Sequence, residues 1–292
     1  MLSEIRGSRR VKASVAKALA LSFSGLERHV GEPVLFIGCG RSGTNLLARL
    51  LDSHPDFAVY PREANELWHP GLYPWFRSSG VVPPIWKDAE RFTLASLEAR
   101  TAAHDRRLRA LLASYRLIHR ARLVVNKSVL ITFMIPHVLE IFPDARFIHL
   151  VRDGRAAAHS AAKMEFRKIS RNREAYRARG LEPTFEELLH DFASHWRQHI
   201  AAVETQRHAL RLDAEARLLE LHYEALCADP RRALVEIARF LDVDAGGFRL
   251  DGPRRAAIQD QNYKFREELD EATIERITSL TEPELSLKGY AG

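Results

Sequence analysis

The sequence predicts an α/β fold of three layers, α/β/α, built on a central parallel sheet of about five strands. Short apolar runs alternate with amphipathic helical stretches along most of the chain, which is typical of a buried parallel sheet. The first of these runs leads through a glycine-rich turn into a helix. In addition, 46% of the 292 residues are hydrophobic, which is enough to form one large core.

Five short apolar segments are the strand candidates, and helical stretches separate most of them. They are residues 34–37, 57–60, 123–125, 147–151 and 218–221. Two of the predicted helices have recognisable starts. Thr184 and Glu187 have the spacing of a capping box, and Asp229 stands as an N-cap before Pro230 at the first helical position.

The glycine-rich turn after the first strand is the most informative segment, because Gly38, Gly40 and Gly43 follow one another so closely. Glycines let backbone amides approach an anion, and the start of the next helix adds free N–H groups. The ATP-binding version of such a loop reads G-x-x-x-x-G-K-[ST]. Here Thr44 replaces the lysine and Asn45 replaces the magnesium-binding hydroxyl. The loop therefore predicts a phosphate-bearing ligand other than ATP.

Charged side chains cluster where the predicted strands end. Arg41, Lys127 and Arg152 each follow a different strand, while Glu63 and Glu66 follow the second. Ligands of a parallel α/β sheet bind at the carboxyl ends of its strands. Three cations beside a phosphate loop therefore predict an anionic ligand with at least two negative centres.

The positive charge is concentrated at the start of the chain, since residues 1–30 carry +4 of the net +6. We expect residues 1–30 to form a basic arm or helix, solvated or in weak contact with a membrane surface. Residues 31–292 are expected to form a single domain. Because the body of the domain carries little net charge, nucleic acid is not a predicted partner.

The cysteine content and the hydropathy of the chain indicate where in the cell the protein is expected. The two cysteines are too few for a disulfide framework and favour a reducing, cytoplasmic location. No segment approaches the ~20 apolar residues of a transmembrane helix.

Two motifs resemble those of sulfotransferases that use 3′-phosphoadenosine 5′-phosphosulfate (PAPS). Residues 40–47, Gly-Arg-Ser-Gly-Thr-Asn-Leu-Leu, are similar to the 5′-phosphosulfate loop of that family. Residues 150–160 are similar to its 3′-phosphate motif, in which an Arg at a strand end precedes a Ser by eight positions. The His-Pro-Asp sequence at 54–56 resembles the tyrosylprotein and carbohydrate branches, and residues 222–230 resemble the family's late strand–helix segment.

The resemblance implies a P-loop NTPase-like sulfotransferase fold, PAPS as the donor, 3′,5′-ADP as the product and no metal requirement. The donor-binding residues that it implies are Arg41, Ser42, Gly43, Thr44, Asn45, Arg152, Ser160 and Tyr223. The loop residues would hold the 5′-phosphate and the sulfate. Arg152 and Ser160 would hold the 3′-phosphate, with Tyr223 beside that phosphate or the adenine.

The resemblance also implies roles in catalysis by in-line displacement. Such a reaction needs a base for the acceptor hydroxyl and cations on the leaving phosphate. Glu63 is the candidate base, because a Glu follows the His-Pro-Asp segment in the tyrosylprotein branch. The spacing is two residues longer here, so Glu66 is the alternative. Lys127 would stabilise charge on the bridging oxygen, and Arg41 would assist.

Residues 61–120 and 165–215 resemble the family weakly and are assigned to the acceptor side. The acceptor is expected to be a hydroxyl of a carbohydrate, glycolipid, phenolic or tyrosyl compound, so a small molecule, a glycan or a lipid is the expected partner. The first region contains several aromatic residues, which either line an acceptor pocket or form a satellite core: Trp68, Tyr73, Trp75, Phe76 and Trp86. The basic segment 166–179 is expected to be a solvated face, with a lid over an acidic acceptor as the alternative.

Two other classes of function are kept open, a P-loop nucleotide kinase and a non-catalytic 3′,5′-ADP-binding relative.

A metal site is not predicted. His195 and His199 have a metal-compatible spacing on a predicted helix, but no third ligand is apparent. Cys39 is interpreted as a small side chain at a crowded turn, and Arg155 as an ion-pair partner of Asp153.

Overall fold

A computed structural model describes residues 2–71, 84–251 and 258–290. The strands are β1 Val34–Ile37, β2 Phe57–Val59, β3 Leu123–Lys127, β4 Arg146–Val151 and β5 Leu218–His222. The helices up to the third strand are α1 Leu2–Ser22, α2 Thr44–Leu51, α3 Asn65–Trp68, α4 Ala89–Glu98 and α5 Ala102–His119. Those that follow are α6 Ile135–Ile141, α7 Gly154–Arg171, α8 Arg173–Arg177, α9 Phe185–Ala209, α10 Tyr223–Ala228, α11 Pro230–Leu241, α12 Tyr263–Glu268, α13 Glu271–Thr281 and α14 Glu284–Leu287.

The five strands form one parallel sheet in the order β2-β3-β1-β4-β5. Each predicted strand lies within two residues of its observed bounds. Because β1 is central, Val34 is paired with Val125 of β3 on one side and with Arg146 of β4 on the other. The loop after β1 therefore lies at the middle of the carboxyl edge, between the ends of β3 and β4.

Alternate residues of the central strand point into two different cores, so the sheet is the middle of three layers. Leu35 and Ile37 pack in a cluster with α5 and α6. Val34 and Phe36 pack in a second cluster with α2 and α11. The period of two along a strand that is buried on both faces produces this division, and the predicted α/β/α architecture is confirmed.

Two predicted helix starts are present as well. Thr184 accepts a hydrogen bond from the backbone N–H of Glu187, and the Glu187 side chain accepts from the Thr184 backbone in return. Asp229 caps α11 by accepting from the backbone N–H of Arg232, with Pro230 as the first helical residue. Both starts satisfy amides that the helix itself leaves without partners.

The first helix departs from the expected solvated arm. Ala13 and Ala16 of α1 are buried in the cluster that contains α5. Arg9 forms an ion pair with Asp52 after α2, and Lys17 lies 2.9 Å from the Glu66 carboxylate in α3. Small side chains three positions apart let α1 pack closely, so the helix belongs to the body of the domain. Among the described residues, no helix combines the length and the hydropathy needed to cross a bilayer.

Candidate active site

The loop between β1 and α2 has the backbone shape that its glycines predict. Gly38 and Gly43 have φ angles of 105° and 94°, and Arg41 between them also has a positive φ of 68°. A Cβ on Gly43 would lie 2.6 Å from Cδ2 of Tyr223, and one on Gly38 would lie 2.6 Å from Cδ2 of His149. Only glycine fits at these two positions. Because α2 begins directly after Gly43, its first amides lie at the loop.

Arg152, which follows β4 directly, reaches the same loop. Its Nη1 donates to the backbone carbonyl of Arg41 at 2.9 Å, and its guanidinium carbon lies 4.5 Å from the centroid of the Tyr223 ring. The Tyr223 hydroxyl donates to the backbone carbonyl of Gln259 at 2.8 Å. A guanidinium stacked on a fixed aromatic ring is a preorganised binder of phosphate. The structure thus brings the two predicted donor-binding residues together beside the loop.

A second cation is held close by. Nε of Arg41 donates to Oγ of Ser160 at 3.2 Å. Burial and, to a smaller extent, the charge of Arg152 lower the pKa of Arg41. Two neighbouring cations destabilise each other until an anion binds between them, so the arrangement favours an anionic ligand.

A cavity of about 400 Å³ opens at this point. Its lining includes six of the eight predicted donor-binding residues, namely Arg41, Gly43, Thr44, Asn45, Arg152 and Tyr223. Arg49, Gln259 and Gln261 complete its polar lining. Ser42 is buried and Ser160 adjoins the cavity through Arg41, so neither lines the cavity itself.

Several residues that sequence reasoning missed hold Arg152 in place. Asn262 Oδ1 accepts from Arg152 Nε at 2.7 Å, and Asn262 Nδ2 donates to Glu224 Oε1 at 2.5 Å. Tyr290 donates to the other oxygen of Glu224 at 2.7 Å, and Trp196 Nε1 donates to the Arg152 carbonyl at 3.0 Å. Asn262, Tyr290 and Trp196 lie outside the motifs recognised in the sequence. Glu224 lies within residues 222–230, but nothing local in that segment points to its role in holding Arg152.

The predicted catalytic pair lies on the other side of the loop. Lys127 is the last residue of β3, and its Nζ lies 2.5 Å from Oε1 of Glu63. Asn65 Nδ2 donates to Oε2 of Glu63 at 3.1 Å. The Glu63 side chain is 37% exposed and that of Lys127 is 18% exposed. The carboxylate is therefore oriented by two donors and still open to a ligand.

Glu66, the alternative base, has a different partner. Its Oε1 accepts from Lys17 of α1 at 2.9 Å. Burial alone would raise the pKa of Glu66, but the hydrogen bond and charge of Lys17 outweigh it and lower the pKa. Both candidate carboxylates are paired with a lysine, but Lys127, the partner of Glu63, lines the cavity beside the loop, whereas Lys17, the partner of Glu66, belongs to α1. The position in the site therefore favours Glu63 as the base.

A second cavity, of about 380 Å³, adjoins the first. Asn45 and Arg49 line both cavities, and Lys127, Tyr60 and Arg9 line only the second. The two cavities therefore share the wall formed by the first turns of α2, with the glycine loop on one side and Lys127 on the other.

Of the five aromatic residues named in 61–120, two are buried and three lie outside the described residues. Trp68 is fully buried, and its Nε1 donates to Asn126 Oδ1 at 2.7 Å. Trp86 is also buried and lines a third cavity, of about 490 Å³, which contains none of the predicted site residues. Tyr73, Trp75 and Phe76 lie outside the described residues. Trp68 packs in the main core cluster of Leu35 and Ile37, and Trp86 packs in a separate cluster with α7 and α9. The satellite-core interpretation therefore agrees with the burial of Trp86 alone.

Most of the basic segment 166–179 is a solvated face. Its arginines at 167, 171, 173, 177 and 179 are exposed, and Arg177 lies 3.1 Å from the Glu182 carboxylate.

Arg155 donates to both carboxylate oxygens of Asp153 at 3.1 and 2.9 Å, as the sequence predicted. The structure places Cys39 beside His195 and His199, a juxtaposition that the sequence did not reveal.

These features define a class of protein. A glycine loop at the carboxyl edge of a parallel sheet, with two arginines and a Glu–Lys pair, is typical of an enzyme that transfers a group from an anionic nucleotide. A model of the sulfotransferase family matches residues 33–246, which is most of the chain. The chain therefore belongs to the sulfotransferase family.

Curated relatives carry the same family name. The chain is 28% identical over 222 residues to protein-tyrosine sulfotransferase 1 of Danio rerio, covering 72% of this chain and 53% of that protein. It is 28% identical over 220 residues to protein-tyrosine sulfotransferase of Drosophila melanogaster, covering 72% and 38%. The chain thus spans about half or less of the length of these relatives.

Solved structures share the fold. A sulfotransferase from Alicyclobacillus acidocaldarius superposes with a TM-score of 0.54 at 18% identity, covering 87% of this chain and 93% of that one. The sulfotransferase STF9 from Mycobacterium avium superposes with a TM-score of 0.53 at 17% identity, covering 89% and 76%. The predicted sulfotransferase fold is confirmed.

Proposed function

We propose that this protein transfers a sulfuryl group from PAPS to a hydroxyl group of an acceptor, releasing 3′,5′-ADP. The observation that supports this proposal most is the convergence of the Gly43 loop, Arg41 and Arg152 on one cavity. PAPS carries two separate phosphate centres on one ribose. Two cations held by different strand ends of one sheet match that distribution of charge.

The donor would bind with its 5′-phosphate and sulfate at the loop. Backbone amides of Ser42, Gly43 and Thr44 would bind these oxygens together with Arg41. Arg152 and Ser160 would bind the 3′-phosphate, and the ring of Tyr223 would pack beside them. The donor supplies the sulfuryl group and a phosphate leaving group.

On the acceptor side, Glu63 would take the proton from the acceptor hydroxyl as its oxygen bonds to sulfur. The bond between sulfur and the bridging oxygen breaks, and the electron pair stays on the phosphate. Lys127 would stabilise that developing charge. Lys127 and Glu63 are paired at 2.5 Å in this structure. The proposed base and the lysine proposed to stabilise the leaving group therefore lie next to each other in the site.

For the acceptor, we propose a phenolic or sugar hydroxyl, with the tyrosyl phenol favoured. The names of the curated relatives specify protein tyrosine for those proteins. The second cavity, which Lys127 lines beside the donor cavity, is the proposed location of the acceptor ring.

The direct test is ligand binding followed by transfer. We expect 3′,5′-ADP to raise the melting temperature without any metal, while ATP with magnesium does not. Transfer of labelled sulfate from PAPS is then measured on a panel of tyrosyl peptides, phenols and glycans. A response to magnesium-ATP alone would favour the nucleotide kinase. Binding of 3′,5′-ADP with no transfer to any acceptor would favour the non-catalytic relative.

A further inference from the structure

Three residues that could bind a metal meet in the core beneath the donor loop. One ligand atom from each of Cys39, His195 and His199 lies within 4.8 Å of the other two. Among the residues that the structure describes, this is the one group of three or more such side chains found close enough to hold an ion. All three are buried, with His199 fully so and Cys39 and His195 only 4% and 8% exposed.

The hydrogen bonds of the two histidines leave one nitrogen free on each ring. Nδ1 of His199 lies 2.9 Å from the backbone carbonyl of His195, and His195 makes a hydrogen bond to the backbone of Ile85. His195 Nδ1 and His199 Nε2 are buried without a hydrogen-bond partner. Metal-binding histidines commonly donate their second ring N–H to a backbone carbonyl in this way, which presents the other nitrogen's lone pair to the metal.

Zinc binds neutral imidazole and thiolate. The Cys39 thiol would therefore give up its proton to solvent as the metal binds.

We propose that Cys39, His195 and His199 bind one Zn²⁺ ion in the core beneath the donor loop. Thiolate and imidazole are the ligands that Zn²⁺ prefers, at about 2.3 Å from sulfur and about 2.0 Å from nitrogen. Ligand atoms around such an ion lie roughly 3.5 Å apart, so the side chains need only close inward by about an ångström. The ion also satisfies two buried nitrogens that otherwise cost free energy.

Three protein ligands leave the fourth tetrahedral position of the ion to a water molecule, and the elements that carry these ligands indicate what the ion would hold together. Cys39 belongs to the loop after β1, and His195 and His199 belong to α9. Trp196 of the same helix donates to the Arg152 carbonyl. An ion that joins Cys39 to α9 would therefore tie the phosphate loop to the helix that supports Arg152. It takes no part in the transfer step, so the proposal is independent of the proposed function.

The primary test is metal content. The protein is purified from zinc-supplemented cells, its affinity tag is removed, and it is dialysed before elemental analysis. We expect about one zinc per chain in the wild type. We expect a loss of at least about tenfold in Cys39→Ala and in His199→Gln. Cys227→Ala removes the other, half-buried cysteine and should keep its zinc.

A second measurement on the wild type guards against variants that fail to fold. Cells grown with CoCl₂ in place of zinc should yield protein with a thiolate-to-cobalt charge-transfer band in the near ultraviolet, which Cys227→Ala retains. Wild-type protein with neither zinc nor this band would overturn the proposal. Zinc that persists in both Cys39→Ala and His199→Gln would overturn it as well, because the ion would then lie elsewhere.

Discussion

The donor side and the acceptor side of the site are built in different ways. On the donor side, the Tyr223 ring leaves no space for a side chain at position 43, and Arg152 is held by the Arg41 carbonyl, Asn262 and the Tyr223 ring. On the acceptor side, Glu63 is more than a third exposed and is paired with one lysine. A rigid, buried grip suits a donor whose geometry is constant. An open carboxylate in the loop between β2 and α3 leaves room for acceptors of different shape, and four tests follow.

The largest expected effect is on the acceptor side. Glu63→Gln should lower the transfer rate by about 10²- to 10⁴-fold, because it removes the proposed general base, while 3′,5′-ADP affinity stays close to wild type. Glu66→Gln is the matched control and should retain most activity, because the partner of Glu66 is Lys17 of α1 and not the Lys127 that lines the cavity. Turnover with PAPS and calorimetric titration of 3′,5′-ADP measure the two properties. Loss of activity in Glu66→Gln alone would reverse the assignment.

The rigidity of the donor side is tested at Gly43. Gly43→Ala combines a strained φ of 94° with a Cβ 2.6 Å from Tyr223, and should lower the free energy of unfolding by about 3 kcal/mol. Gly180→Ala has a similarly positive φ of 65° but no atom within 4 Å, and should cost about 1 kcal/mol. Urea unfolding measures both. Equal losses would show that the contact with Tyr223 does not constrain the loop.

Donor affinity depends on Arg152. Arg152→Ala should weaken 3′,5′-ADP binding by about 100-fold, because a buried, hydrogen-bonded cation is lost. Arg152→Lys should recover part of the affinity, since the charge returns without the planar guanidinium. Arg171→Ala, at an exposed position of α7, serves as the control. Unchanged affinity in both folded Arg152 variants would remove this residue from the donor site.

The smallest expected effect is on the stability of the fold, at Glu220 of β5, which is hydrogen-bonded to His149 of β4. Burial alone would raise the pKa of the Glu220 carboxyl, but hydrogen bonds from His149 and Lys288 lower it to about 2. A carboxyl whose folded pKa lies below its ordinary 4.5 stabilises the fold above about pH 4.5 and loses this effect as the pH falls toward 2. Glu220→Gln should therefore cost on the order of 2 kcal/mol at pH 7.

Urea midpoints of the wild type and Glu220→Gln between pH 7 and pH 3 measure that difference. We expect the gap to narrow as the pH falls below about 4.5, because the unfolded wild type then takes up a proton at Glu220 while the folded protein, with a pKa of about 2, does not. A gap that stays constant with pH would show that Glu220 contributes by packing.

The same contrast explains how much of the molecule could be predicted from the sequence. The strands and the donor loop are local patterns, because short apolar runs and closely spaced glycines impose their own backbone shapes. The partners of these elements are not local. Asn262 is 110 positions from Arg152, and Lys17 is 49 positions from Glu66.

Cys39 is the clearest example of what remained hidden. Its separation from His195 and His199 in the sequence exceeds 150 positions, so the pair of histidines appeared to lack a third ligand. Likewise, the charge of residues 1–30 indicated a solvated arm, but Ala13 and Ala16 place α1 in the core. Net charge describes the exposed face of a helix and carries no information about its buried face.

Because α1 packs against the core, a truncation that removes this helix would change the site. Arg9 stands in the wall of the cavity next to Lys127, and Lys17 neutralises a carboxylate only three residues beyond Glu63. A shortened enzyme that starts after Ser22 would keep every residue proposed to bind the donor. It would lose Arg9 from the wall of the second cavity and Lys17, the partner of Glu66. Any acceptor preference measured on such a variant would then describe the truncation and not the intact protein.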